Sequence, residues 1–212
     1  QVDAGVRRPD PRDLPTLAST LAAAGYDTRA LLGLRGMIGE ADLAGFAEVE
    51  NAASPSRNDV HPDNAADVTD RAIRWVRARR GGRPFFLWIH YIDPHGTYQQ
   101  PPGAPVFGGR DLDRYDAEIA HVDRQVGRLL RALADKGRDR RTIVAVAADH
   151  GESFGDHGTI SHGKSLYEDQ THVPLIIAVP VLVFYAYFRG RISRITTNAE
   201  RASSEIVQLL TK

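Results

Sequence analysis

The reading of the fold turns on Thr142-Ile143-Val144-Ala145-Val146-Ala147-Ala148-Asp149-His150-Gly151-Glu152. From Thr142 to Ala148 the chain is an almost unbroken apolar run of strand length, and it stops abruptly on Asp149-His150. A run without apolar/polar alternation is what a strand covered on both faces requires, as in a parallel sheet. Upstream, Pro84 leads into a second such run, Phe85-Phe86-Leu87-Trp88-Ile89, which passes into His90-Tyr91-Ile92-Asp93-Pro94-His95. Val173 to Val179 is a third. Between the first two lies a helix from Leu112 to Lys136, with Tyr115, Ile119, Val122, Val126, Leu129, Leu130 and Leu133 as its apolar stripe and Gly137 as its stop. Strand, helix, strand predicts an α/β domain with a mostly parallel sheet and helices on both faces.

Farther out, Asp13-Leu14-Pro15 opens a helix carrying Leu17, Leu21 and Ala24, and Gly25 ends it. Thr28 to Leu32 reads as a short strand, and Gly33 to Asn64 as loop with one helical turn. Asp63 or Asn64 caps a further helix with Val68, Ile73, Trp75 and Val76, closed by Gly81-Gly82. Residues 1–12 are expected to be an arm or linker, 13–190 a single incomplete α/β domain, and 191–212 a C-terminal helix or tail. No internal repeat and no interdomain linker is visible.

The chain has 212 residues with 27 basic and 27 acidic side chains, so its formal net charge is zero. That balance gives no footing for a nucleic-acid partner. Arg77-Arg79-Arg80 and Arg138-Arg140-Arg141 read as solvated helix ends. With no cysteine, disulfides and thiolate chemistry are excluded, and the compartment is left open. The start at Gln1 reads as that of a processed or partial product. The most apolar stretch, Val173 to Phe188, is interrupted by Pro174 and Pro180 and is short for a membrane span of about 20 residues. Membrane contact is therefore not indicated, and oligomeric state is not fixed. The aromatic run Phe184, Tyr185, Tyr187, Phe188 reads as core.

In open α/β sheets the ligand site lies beyond the carboxyl ends of the strands. Seven of the eight histidines fall between residues 90 and 172, and His90, His95, His150, His157 and His162 all follow the two strong strands. Asp149 and His150 supply oxygen and nitrogen donors to a divalent cation, provided the chain leaves strand geometry there; Gly151 is expected to allow that turn. His95 and Lys164 add positive charge, with His157 and His162 as alternatives. A metal plus cationic side chains suits an anionic ester: the cations neutralise its oxygens and a histidine protonates the leaving alcohol. Glu152 and Asp156 read as loop-structuring, and Asp93 as turning the backbone or orienting a histidine. The chain has no G-x-x-x-x-G-K-[ST] and no H-E-x-x-H. Gly151-Glu152-Ser153-Phe154-Gly155 lacks the strand-to-helix context of a serine nucleophile elbow.

Five stretches in order, covering most of residues 12 to 178, resemble the sulfatases of the alkaline phosphatase superfamily. They are Leu14 to Thr28, Pro84 to Tyr98, the Tyr115 to Gly137 helix, Thr142 to Gly158, and Gly163 to Ile177 with its Ser165-Leu166-Tyr167-Glu168-Asp169 and Val173-Pro174-Leu175-Ile176. The resemblance implies hydrolysis of a sulfate ester, on a small molecule or a glycan, by a formylglycine hydrate. A divalent ion, usually calcium with manganese or zinc as alternatives, would hold sulfate and nucleophile. It implies metal ligation by Asp149 and His150, contact with the sulfate by His95, and a second basic contact from His162 or Lys164. The family is often exported.

The family's Cys/Ser-x-Pro-x-Arg nucleophile motif and its preceding paired acidic ligands are not in these 212 residues. Ala53-Ser54-Pro55-Ser56-Arg57 copies part of the motif, with Ala53 at the nucleophile's place and on the wrong side of Gly25-Tyr26. The expectation is thus the central portion of a sulfatase whose formylglycine lies upstream, inactive alone. Two other readings stand beside it. One is a phosphate or phosphonate ester hydrolase, or phosphoethanolamine-type transferase, of the same superfamily; the other is an inactive, truncated paralogue.

Overall fold

The computed structural model describes residues 15–34, 36, 38–52 and 64–171, and the backbone of 175–178. The expected N-terminal arm, the Ala53 to Arg57 stretch, Asp63, the aromatic run and the C-terminal tail lie outside these residues. The chain divides into two compact units, Gln1–Lys136 and Gly137–Lys212.

The first unit is built on a three-stranded parallel sheet in the order β2-β1-β3, from β1 (Asp27–Leu32), β2 (Glu48–Asn51) and β3 (Phe85–His90). The centre is β1, whose Thr28, Ala30, Leu31 and Leu32 are buried. Its alternation sends Leu31 to one face, against Ala52, Val68 and Ala72, and sends Ala30 and Leu32 to the other, against Leu43 with Phe46 and Trp88 beside it. The aromatic run expected to be buried on both faces instead forms β3 at one side of this sheet, half-buried along its whole length. Sequence reading missed β2, because Glu48-Val49-Glu50-Asn51 is acidic rather than apolar. Ion pairs hold it: Arg29 on β1 reaches both Glu48 and Glu50, and Arg71 reaches Glu50.

Helix α1 (Leu17–Ala23) starts later than its sequence suggests, with Thr16 as N-cap accepting from the Ser19 N–H at 3.0 Å. Gly25, at φ +86°, takes the left-handed position that ends it. Helix α2 (Asn64–Ala78) buries Val68, Ala72 and Val76 against the sheet. Its first-turn amide, Ala65 N–H, donates to Asp93 Oδ2 at 3.0 Å, an acceptor from the loop that follows β3.

Helix α3 (Asp111–Asp135) has the expected extent but only part of the expected face, with Leu133 buried and Leu129 packed against the core. Its buried residues include Ala117, Glu118, His121, Gln125 and Leu133, whereas Ile119 and Leu130 are exposed. Part of the inner face is polar because it serves polar partners: Glu118 meets the loop after β3, and Arg124 donates to the Pro102 and Gly103 carbonyls.

In the second unit, β4 (Val144–Ala147) pairs with β7 (Leu175–Ala178), and the pairing is antiparallel. This third run departs from the parallel expectation: among the described residues no long crossover helix joins it to β4. The connection is a small hairpin, β5 (Ser153–Phe154) with β6 (Ile160–Ser161), and one four-residue turn of helix, α4 (Glu168–Thr171). The expected burial of β4 is also corrected: Ala145, Val146 and Ala147 are exposed, because β7 is its one strand partner among the described residues.

Candidate active site

The first unit presents His95 five residues beyond the end of β3. His95 Nδ1 lies 2.8 Å from the Gly96 carbonyl, so that nitrogen carries a proton and Nε2 points elsewhere. Beneath the turn sits Glu118, 4% exposed. Its carboxylate accepts the backbone N–H of His95 at 3.2 Å and that of Gln99 at 2.7 Å. Burial pushes the Glu118 carboxyl up to about 7; the nearby Asp93 charge adds to the rise, and the two amides oppose it. Asp93 is engaged at the start of α2, so its part in this loop is to fix backbone.

Sequence reading passed over Glu118 as one of the charged residues around a helix. The signal it could have used is the spacing of Glu118, His121 and Gln125, polar residues on one stripe of α3 that are all buried.

The second unit gathers Asp149, His150 and His162. The chain leaves strand geometry at Ala147, and both members of the Asp149-His150 pair turn toward one another, with Asp149 Oδ2 3.7 Å from His150 Nε2. His150 Nδ1 lies 2.9 Å from the Gly151 carbonyl, which leaves the Nε2 lone pair to serve as a ligand. The Asp149 side chain is 84% exposed. Two donors at this separation fit a single divalent ion at ligand distances of about 2.0–2.6 Å. They are two donors only: among the described residues, no group of three or more His, Asp or Glu is gathered to hold a metal.

The His162 ring stacks on His150 with centroids 4.0 Å apart, and its Nδ1 lies 2.9 Å from Oε2 of the half-buried Glu152. Lys164 turns away from this group, its ammonium donating to the Ile160 carbonyl at 2.9 Å. His157 belongs to a separate pair, stacked on Tyr167 at 4.1 Å and 3.7 Å from Asp169. Gly151 serves a different purpose from the tight turn expected of it. Its amide donates to the Gln170 carbonyl at 3.0 Å, and a Cβ there would run into the Asp169 carbonyl oxygen. Gln170 closes the loop from within: its Oε1 accepts from the amides of Lys164 and Ser165, and its Nε2 donates to Thr159.

The model of the family described as Sulfatase matches residues 2–182. An arylsulfatase of Clostridium perfringens is 28% identical over 159 residues, which is 57% of this chain and 32% of that protein. The chain thus spans about a third of the length of that relative. Among solved structures, the phosphonate monoester hydrolase of Agrobacterium radiobacter superposes with TM-score 0.62 at 19% identity, over 77% of this chain and 52% of that one. BT4656, solved with its substrate D-glucosamine-2-N,6-O-disulfate, superposes with TM-score 0.63 at 19% identity, over 79% and 56%. These structural likenesses carry the alkaline phosphatase-like α/β fold, and the family match spans all of the described residues. The chain belongs to the sulfatase family.

Proposed function

We propose that these residues form the central portion of a sulfuric ester hydrolase acting on a sulfated small molecule or glycan. The observation that carries the proposal is the Asp149-His150 pair, two metal donors brought to 3.7 Å at the end of a strand in a chain of this family. Asp149 and His150 would hold a divalent ion, with calcium the first candidate. When bound, such an ion polarises a sulfate oxygen and lowers the pKa of a hydroxyl nucleophile. That nucleophile, a formylglycine hydrate by the family resemblance, would come from a segment outside these 212 residues.

His150 is kept in register by its Nδ1 bond to Gly151 and by the His162 ring stacked on it. His162 has its Nδ1 oriented by the Glu152 carboxylate, which leaves Nε2 to meet a sulfate oxygen or the leaving alcohol. The engagement of Lys164 with Ile160 favours His162 for that role. His95 would meet the sulfate through Nε2. Because Nδ1 already donates to Gly96, that contact becomes a charge-assisted donor only when the ring is an imidazolium.

The test is to prepare the polypeptide that joins this chain to its nucleophile-bearing segment and map its peptides by mass spectrometry for formylglycine. Turnover of an aryl sulfate is then compared with that of the matching phosphate and phosphonate esters. The proposal expects sulfate to be preferred, chelation to abolish turnover and calcium to restore it, and Asp149→Ala to lower kcat/KM by about a hundredfold or more. A preference for phosphate or phosphonate would move the protein to the other hydrolases of the fold. Turnover untouched by Asp149→Ala would remove the metal assignment.

A further inference from the structure

We infer that Glu118 is a positioning residue for His95: its buried carboxylate, reaching from α3, accepts the amides at both ends of the 95–99 turn and so fixes where the His95 ring stands. The inference rests on the reading of His95 as a contact to the sulfate ester.

Among the described residues the His95 side chain has one hydrogen bond, to the carbonyl of the very next residue, Gly96. Nothing in that bond ties the ring to the rest of the molecule; the ring goes where the backbone of 95 and 96 goes. The backbone in turn is held by Glu118, at 3.2 Å from His95 N and 2.7 Å from Gln99 N. One carboxylate bridging two amides four residues apart closes the turn as a clamp. The neighbouring contact is an edge-on pair of Tyr98 on the turn with Tyr115 on α3, centroids 5.5 Å apart, which packs the same turn against the same helix.

A solvated turn would not need a buried acid beneath it. Burying a carboxyl near a second one, Asp93, is costly enough to push its proton affinity toward neutrality. A backbone carbonyl or an Asn could accept amides without that penalty. The two-oxygen carboxylate is the group that takes both amides at once and stays planar between them. Displacing a substrate-contacting group by even about 1 Å is enough to cost about a hundredfold in rate.

The experiment uses the same active polypeptide and four forms of it: wild type, Glu118→Gln, His95→Ala and the double variant. Glu118→Gln keeps the shape but turns an –NH2 toward one of the two donor amides. It should lower kcat/KM about tenfold or more. In the His95→Ala background it should cost nothing further, because its effect passes through His95. Wild-type kinetics for Glu118→Gln would overturn the inference, as would losses that multiply in the double variant. Failure of the functional reading is seen separately, as a wild type without sulfate ester turnover. A second measurement on the 212-residue chain needs no turnover. Amide hydrogen exchange at His95 and Gln99 should be slow in wild type and in His95→Ala, and fast in Glu118→Ala. Unchanged protection in Glu118→Ala overturns the inference whatever the kinetics show.

Discussion

At Gly151 the requirement for glycine comes from space rather than from backbone angle. The residue lies outside the left-handed region, yet a Cβ would strike the Asp169 carbonyl oxygen. Because backbone rather than a flexible side chain is in the way, Gly151→Ala must push the chain at 151 away from α4. It is expected to cost about 1–3 kcal/mol, read as a lowered thermal midpoint of the chain. An alanine variant that melts with the wild type would mean the close approach is dispensable. Glu118 makes a prediction of another kind. Its folded pKa, about 7, lies above its ordinary value of 4.5, so the folded state holds this proton more tightly than the unfolded one. Its contribution to stability is therefore full below about pH 4.5 and is lost as pH rises through about 7. Denaturation midpoints compared at about pH 5 and about pH 8 should fall more for the wild type than for Glu118→Gln, the histidines contributing equally to both. Parallel pH profiles would place the Glu118 carboxyl back in the ordinary range.

Among the elements, α2 shows how much of a helix can be decided far from it in sequence. Capping was expected from Asp63, outside the described residues, or from Asn64; the Asn64 side chain instead donates to the Gly33 carbonyl at 2.9 Å, and the Ala65 amide donates to Asp93, 28 residues on. Removing that acceptor leaves a buried amide unpaired. Asp93→Ala is expected to lose about 1–2 kcal/mol in urea denaturation, and Asp93→Asn, which keeps a carbonyl oxygen, clearly less. Equal losses for the two would mean the charge matters more than the hydrogen bond. The strands β3, β4 and β7 were legible as apolar runs, and α2 and α3 from their periodicity. Two things were not legible. The strand β2 is held by Arg29 and Arg71 through its carboxylates, and no hydrophobic pattern announces it. Part of the inward face of α3 escaped periodicity too, because Glu118 turns to the loop after β3 and His121 and Gln125 bond to one another, while Ile119 and Leu130 stay exposed.

For the molecule as a whole, the residue types of the site were readable and their assembly was not. Asp149 and His150 stand out at a strand end in sequence, and they do lie together. The choice between His162 and Lys164 depended on contacts with Glu152, His150 and Ile160 that spacing does not encode. The 212-residue chain by itself contains no Cys/Ser-x-Pro-x-Arg, and its described residues bring together two metal donors. It should therefore show no turnover of a sulfate monoester with calcium, and clear turnover would place the nucleophile within these residues. Gln170 bears on how such a chain can diversify. One buried amide, bonded to Thr159, Lys164 and Ser165, holds the segment after β6 from inside, while Leu166 is 91% exposed and Lys164 and Tyr167 also face outward. The scaffold of that segment and its outer lettering are thus under separate control. Mutational drift can rewrite the outward positions, and with them whatever they meet, without refolding the segment, whereas position 170 has almost no freedom to wander.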